Sequence, residues 1–340
     1  ATYQYHTTPM HGRSKMDRPP SAEEIASDRQ KAKTYSALVG IVQAHRSNKN
    51  YSQETLELTG QILKKNPDSY SLWNYRREIL ISLYSSIGLG LAKPSTKISR
   101  DVGAEVIDME LSLSAAAITK NPKSYCGWYH RVWVLERLDV DIASELVLCN
   151  KFLTADQRNF HCWNYRRHLV SVGNISPKAE FEYSTEKICE NFSNYSAFHH
   201  RSVYIKDLFA NEVLGDLNNV FEEEFSIIEN AVFTEPDDQS AWWYYHFLVK
   251  FVRDRCLDEM SLYNTLSHQL EVMQGLLEVE ESSKWAMMTI IFLIDVMESL
   301  NVQGHDREEK MHQRQRMLDN LCEIDPTHRC SYMYRLGRNN

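Results

Sequence analysis

The sequence predicts an all-α chain, an array of antiparallel helix pairs with a base period of 35 residues. Three observations carry that prediction: few Gly and Pro, an aromatic–arginine pattern that returns along the chain, and apolar residues at three- and four-residue steps between its copies. Of 340 residues only 12 are Gly and 9 are Pro, roughly half their usual joint share. Sandwiches and barrels need both residues at many turns, whereas long helices need neither.

The repeat is read by aligning the chain on one aromatic residue, position zero. Four copies read NPDSYSLWNYRR, NPKSYCGWYHR, DQRNFHCWNYRR and NFSNYSAFHHR, centred on Trp73, Trp128, Trp163 and Phe198. Each has an aromatic at −3 (Tyr70, Tyr125, Phe160, Tyr195) and Arg at +3 (Arg76, Arg131, Arg166, Arg201). Fainter copies centre on Trp242 and Tyr332, and a degenerate one on Trp285. The centres lie 55, 35, 35, 44 and 90 residues apart from Trp73 to Tyr332. One period of 35 residues holds two helices of about 12–15 residues and two short turns. The longer first interval is accounted for by Ser85–Gly103, a loop insertion rich in breakers (Gly88, Gly90, Pro94).

Within a copy, positions −3, zero and +3 are expected to share one helical face. Asn66-Pro67 and Asn121-Pro122 mark helix ends, because the residue before Pro avoids the α region. Asp68, Ser69 or Ser124 are available to cap the next helix. Tyr51–Lys65 and Ala104–Lys120 read as the helices ahead of the first two turns.

Composition narrows the function classes. A net charge of −8, from 38 Lys and Arg against 46 Asp and Glu, lacks the basic excess of proteins that bind nucleic acid or anionic membranes. Eighteen Tyr, 12 Phe and 7 Trp argue against disorder. The longest apolar run, WAMMTIIFLIDVM, is shorter than the ~18 residues that span a bilayer. Seven scattered cysteines without a C-x-x-C pair suit reduced core thiols in a cytoplasmic protein better than a disulfide framework. No P-loop, G-x-G-x-x-G or G-x-S-x-G segment occurs, so those nucleotide and hydrolase routes lack support. The segment MHGRSKM from Met10 reads as the natural start, with residues 1–9 appended ahead of it and residues 10–340 forming a single helical-repeat domain.

A catalytic group is needed once, a packing group in every copy. The W-x-x-R rows are therefore expected to pack, each Arg lying across aromatic rings of a neighbouring copy and neutralised by an acid. The other reading is an exposed basic ladder. The thirteen histidines form no zinc-spaced cluster: His199 and His200 point about 100° apart on a helix, and His161 and His168 lack ligand companions. No metal site is expected on this chain.

Chemistry is sought where one copy departs from the others. At position −5 the copies carry Asp68, Lys123, Arg158, Ser193, Asp237 and Thr327. Only two successive copies place a cation there, beside a helix start that already favours anions. Lys123 and Arg158, with the Tyr125 hydroxyl, fit a phosphate or diphosphate rim; solvated turn charges are the equal alternative.

At these residues the chain resembles the protein prenyltransferase α subunits: NPDSYSLWNYRR, NPKSYCGWYHR, DQRNFHCWNYRR and NYSAFHHR look like their tandem repeats, from about Met10 to the C-terminus. Within the family, MHGRSKM, NFHCWNYRRHLV and EPDDQSAWWYYHFL look like the type II branch, the α subunits of Rab geranylgeranyltransferases, in its compact fungal-like form, since neither leucine-rich repeats nor an immunoglobulin-like strand pattern is present. The α subunit shared by farnesyltransferase and type I geranylgeranyltransferase is the competitor, similar in its repeats but not in its opening. A non-catalytic helical-repeat scaffold is the alternative of another class.

The resemblance implies a right-handed α–α superhelix, a crescent solenoid wrapped around an obligate β subunit that carries the zinc and the lipid pocket. It implies prenyl transfer from geranylgeranyl diphosphate to C-terminal cysteines of Rab GTPases presented by an escort protein, active only in the heterodimer. The family motif P-K-x-Y is matched by Lys123 and Tyr125 and implies α-subunit groups beside the leaving diphosphate. Arg158 has no family role to take over and rests on the rim argument alone. The resemblance leaves open whether His11 reaches the partner's metal.

Overall fold

Four polar residues open helices in the same way. Ser52, Ser124, Asn159 and Asp238 each accept a hydrogen bond at the side chain from a backbone N–H two or three residues on, at 2.7–3.3 Å. This satisfies an otherwise unpaired donor of the first turn. Helix ends are equally regular. Asn66, Asn121, Asp156 and Asn191 close helices and accept at Oδ1 from the backbone N–H of Asp68, Lys123, Arg158 and Ser193 (2.9–3.2 Å). Each of these four copies thus folds its turn through one Asx hydrogen bond and starts its second helix at position −3.

The computed structural model describes residues 21–85, 91, 97–210, 217–255, 258–300, 302 and 307–337. The expectations placed on residues 1–9, Met10 and His11, and on most of the first-interval insertion, lie outside the described residues. The chain forms two compact units, Ala1–Asn174 and Ile175–Asn340. The first holds α1 (Ala22–Ser47), α2 (Gln53–Lys65), α3 (Tyr70–Ser85), α4 (Arg100–Lys120), α5 (Tyr125–Arg137), α6 (Ile142–Ala155) and α7 (Phe160–Val172). The second holds α8 (Pro177–Glu190), α9 (Tyr195–Ala210), α10 (Leu217–Thr234), α11 (Gln239–Arg253), α12 (Glu259–Val279), α13 (Lys284–Glu298), α14 (Arg307–Ile324) and α15 (Arg329–Arg335). In the first unit α2 packs on α4, and α3, α5 and α7 pack in succession, so first and second helices of the hairpins make separate layers. In the second, α9, α11 and α13 pack in succession. The expected all-α class of helical hairpins is what the structure shows. The first-interval insertion ends earlier than expected, because α4 begins at Arg100 and includes Gly103.

Position zero supplies the mortar. Trp73, Trp128, Trp163, Phe198 and Trp242 are all buried. The four indoles each donate Nε1–H to the carbonyl six residues back, of Pro67, Pro122, Gln157 and Pro236 (2.8–2.9 Å). The ring thus fills the hairpin and ties down its own turn. Trp285 does not sit at this place. Ser283 caps α13, which puts Met287, buried, at position zero and leaves Trp285 half-buried two residues earlier. Tyr332 fits: it is buried with Met287, Ile291, Leu318 and Leu321 and donates to Asp325 (2.9 Å).

The aromatics at −3 are not part of the packing row. Tyr70 and Tyr125 are 61% and 71% exposed, and Phe160 and Tyr195 are also exposed. Position −3 is the first residue of each second helix, where the first helix of the same hairpin has already ended, so that helix does not cover it.

The arginines at +3 are buried, and three of them find an acid on the next hairpin. Arg76 grips Glu110 (2.8 and 2.6 Å), Arg131 grips Glu145 (2.7 and 2.7 Å), and Arg201 grips Glu224 through both edges of its fork. The expected stacking on a neighbouring copy's ring is corrected by Arg201, whose guanidinium lies 3.7 Å from the Phe181 ring of its own hairpin. Arg76 and Arg131 direct their remaining edge to a first-helix carbonyl and hydroxyl: Leu56 and Thr59, Leu111 and Ser114. Burying a guanidinium demands this saturation. The cysteines also depart from expectation: of those described, Cys149 and Cys162 are buried, while Cys189 and Cys330 are exposed and Cys126 and Cys322 partly so.

Candidate functional site

The turn carrying Lys123 is fixed from both sides. Asn121 Nδ2 donates to Asp68 Oδ2 of the preceding turn (2.7 Å), and Ser124 Oγ donates to the Pro67 carbonyl (3.3 Å). On the other side, Asn159 Nδ2 donates to the Pro122 carbonyl (3.1 Å), the same oxygen that takes the Trp128 indole. Asn159 follows Arg158, and Pro122 precedes Lys123. The two turns predicted to carry cations are therefore joined by a hydrogen bond one residue from each, and Lys123 and Arg158 are both exposed.

Tyr125 opens α5 with its ring outside the core. It meets the His161 ring edge-on at 4.4 Å and lies 5.9 Å from Phe160, both in the first turn of α7. His161 was missed by sequence reasoning, which weighed the histidines only as metal ligands. Its signal was position: it stands two residues ahead of Trp163, in the turn that departs from the other copies. His161 is buried beside the Lys123 main chain. Burial pushes its pKa down from the ordinary imidazole value, which favours the neutral ring and leaves the positive charge of this end to Lys123 and Arg158. The three residues of the sequence-derived rim thus share one pair of linked turns, open to solvent, with a lysine, an arginine, a phenol and two helix starts available to an anion of spread charge. Among the described residues, no group of three or more His, Cys, Asp and Glu is placed to hold a metal ion.

The repeat described as "Protein prenyltransferase alpha subunit repeat" matches residues 52–83, 107–138, 142–172, 177–208 and 221–252, the hairpins from α2/α3 to α10/α11. The geranylgeranyl transferase type-2 subunit alpha of Saccharomyces cerevisiae is 32% identical over 334 residues, covering 92% of this chain and 94% of that protein. The chain belongs to the geranylgeranyl transferase type-2 α-subunit family. The type-2 α subunit of Rattus norvegicus is 39% identical over 249 residues, 71% of this chain but 42% of the rat protein. The chain thus spans about half the length of that relative. A chain of Candida albicans protein geranylgeranyltransferase-I complexed with GGPP shares the fold, with TM-score 0.66, 20% identity and 90% of each chain covered. Among type-2 α subunits this chain therefore matches the fungal protein nearly end to end.

Proposed function

We propose that this chain is the α subunit of a heterodimeric Rab geranylgeranyltransferase. The observation that carries the reading is the end-to-end match to a fungal type-2 α subunit. The open, linked turns of Lys123 and Arg158 support it, since they offer half of an anion site and leave the other half to a partner. The reaction joins a C-terminal cysteine sulfur of a Rab GTPase, delivered by an escort protein, to C1 of geranylgeranyl diphosphate. The C–S bond forms as the C1–O bond breaks, the thiol proton having been lost beforehand, and diphosphate departs. Zinc, held by the β subunit, would supply thiolate stabilisation. On this chain, Lys123 and Tyr125 take the charge that grows on the departing diphosphate, where fixed donors act most strongly; Arg158 extends the same rim.

Among the described residues no helix is long and apolar enough to cross a membrane, which accords with work in the cytoplasm on soluble GTPase and escort protein. The test is reconstitution with labelled geranylgeranyl diphosphate. The chain alone transfers nothing; with β subunit and escort protein it labels a Rab protein. Transfer by the chain alone, or labelling of a Cys-a-a-X peptide without escort protein, overturns the reading.

A further inference from the structure

Arg76 and Arg77 are neighbours on α3 with opposite electrostatic surroundings. Arg76 is saturated by Glu110 and two first-helix acceptors. Arg77 is only 7% exposed, yet no carboxylate among the described residues reaches it. Its polar partners are Asn74 Oδ1 on its own helix and, at 3.5 Å, Nδ1 of His130 on α5. The face of its guanidinium lies 5.0 Å from the Tyr129 ring. The ionisable groups around it are the Tyr129 and Tyr70 phenols, the Cys126 thiol and a second cation, Arg137. His130 brings no negative charge: its Nε2–H donates to Glu110 (2.8 Å), which leaves Nδ1 as the acceptor facing Arg77.

A desolvated guanidinium does not shed its proton, so a full positive charge stands here without a counter-charge. That arrangement is strongly unfavourable in a finished structure. Its surroundings point outward. Tyr70 and Tyr129 are 61% and 57% exposed, and Cys126 Sγ donates to the carbonyl of Asp68 (3.7 Å), whose side chain holds Asn121 of the Lys123 turn. Exposed tyrosines around a buried arginine have the composition of a protein–protein interface core.

We propose that Arg77 is the anchor for a carboxylate side chain of the β subunit, clasped by its guanidinium fork under the collar of Tyr70 and Tyr129. This rests on the heterodimer reading. A side-chain carboxylate fits the planar fork in bidentate fashion, and the aromatic collar offers the surrounding protein the apolar rim that excludes water.

The experiment compares wild type, Arg77→Met and Arg77→Lys by the dissociation constant for the β subunit and by the urea midpoint of each full chain alone. Arg77→Met weakens assembly by about thirtyfold or more, with Arg77→Lys recovering only part, since an ammonium is a point charge. Because a lone buried charge has been removed, the free chain keeps or raises its urea midpoint. The assignment fails if Arg77→Met lowers that midpoint or prevents folding while Arg77→Lys assembles within twofold of wild type, which makes Arg77 an internal strut. It also fails if Arg77→Met leaves assembly unchanged but weakens geranylgeranyl diphosphate binding to the heterodimer, which makes the anion the lipid diphosphate. If the wild-type chain forms no complex with β at all, the heterodimer reading falls first and takes this assignment with it.

Discussion

Arg131 on α5 and Glu145 on α6 meet through two parallel hydrogen bonds, Nε to Oε2 and Nη2 to Oε1, each 2.7 Å long, with both side chains buried. The same Oε2 accepts from the Tyr165 hydroxyl at 2.8 Å. One glutamate therefore binds the arginine of the preceding hairpin and a side chain of its own. Glu110 does the same with Arg76 and His130, and Glu224 with Arg201 and Tyr244. These pairs set the register between successive hairpins, because apolar faces alone can slide and a bidentate pair cannot.

Removing one partner leaves the other charged and dry. Glu145→Leu is expected to destabilise the chain by about 3–5 kcal/mol, whereas Glu145→Leu combined with Arg131→Met costs much less. Urea unfolding of Glu145→Leu, Arg131→Met and the double variant, closed as a cycle, measures both. Equal losses for Glu145→Leu and for the double variant show that the pair does not act as a unit.

The two aromatic positions of the repeat are expected to behave differently. Trp128 is 4% exposed and packs against Phe152 and Tyr165 of the next hairpin at 5.5 Å each, so Trp128→Ala is expected to cost ~3–5 kcal/mol. Tyr70 is outside the core, and Tyr70→Ala is expected to stay within ~0.5 kcal/mol. Thermal and urea unfolding of the isolated chain compare them. A large loss at Tyr70 returns position −3 to the packing row.

How much of this was legible in the sequence follows from what periodicity can and cannot report. The helices read as Tyr51–Lys65 and Ala104–Lys120 run from Gln53 to Lys65 and from Arg100 to Lys120. Burial at positions zero and +3 was readable because a packing residue recurs with the repeat. The recurring glutamates carried the same signal: Glu110, Glu145, Glu180 and Glu224 are separated by 35, 35 and 44 residues, as are Trp128, Trp163, Phe198 and Trp242. They passed unnoticed because one acid on an amphipathic helix looks like a solvated residue until its partners are known. Position −3 was misread because helical phase tells which way a side chain points, not whether a neighbouring helix reaches that far. In the candidate site, Tyr125 follows the repeat, whereas Lys123 and Arg158 were legible as departures from it at position −5. The contrast between Arg76 and Arg77 was not, since identical neighbours in sequence differ only in which carboxylate lies across from them.

His246 gives the chain a pH dependence of known sign. It lies on α11 beside Thr289 (3.0 Å) and against the Phe292 ring (4.6 Å). Burial first, and then the Lys250 charge, push its pKa from 6.5 down to about 4. The unfolded chain therefore binds this proton at a higher pH than the folded chain does. The contribution of His246 to stability is full above pH 6.5 and is lost as the pH falls from there through 4. Its span is up to about 3 kcal/mol. His246→Gln keeps a polar group against Thr289 and removes the titration. Wild-type and variant urea midpoints are expected to converge or cross as the pH is lowered from 7 to 4; a gap that stays constant shows that His246 does not titrate in this range.

Lys123 is the residue on which the proposed chemistry of this chain turns. Its side chain is exposed, and its place is held by main-chain and neighbouring contacts: the Asn121 Asx bond, the Ser124 cap and the Asn159 link to Pro122. Lys123→Ala is therefore expected to leave the urea midpoint and assembly with the β subunit unchanged, because nothing buried is lost. If Lys123 takes charge from the departing diphosphate, single-turnover prenyl transfer in the heterodimer slows by ~10²–10³, with the affinity for geranylgeranyl diphosphate falling by a smaller factor. That split separates transition-state stabilisation from simple binding, since a ground-state contact weakens affinity and rate alike. Tyr125→Phe keeps the ring against His161 and removes only the hydroxyl, so its effect on the rate isolates the second donor of the rim. A change of less than twofold in the Lys123→Ala rate removes this lysine from the mechanism and leaves the charged turn as a solvated corner between two hairpins.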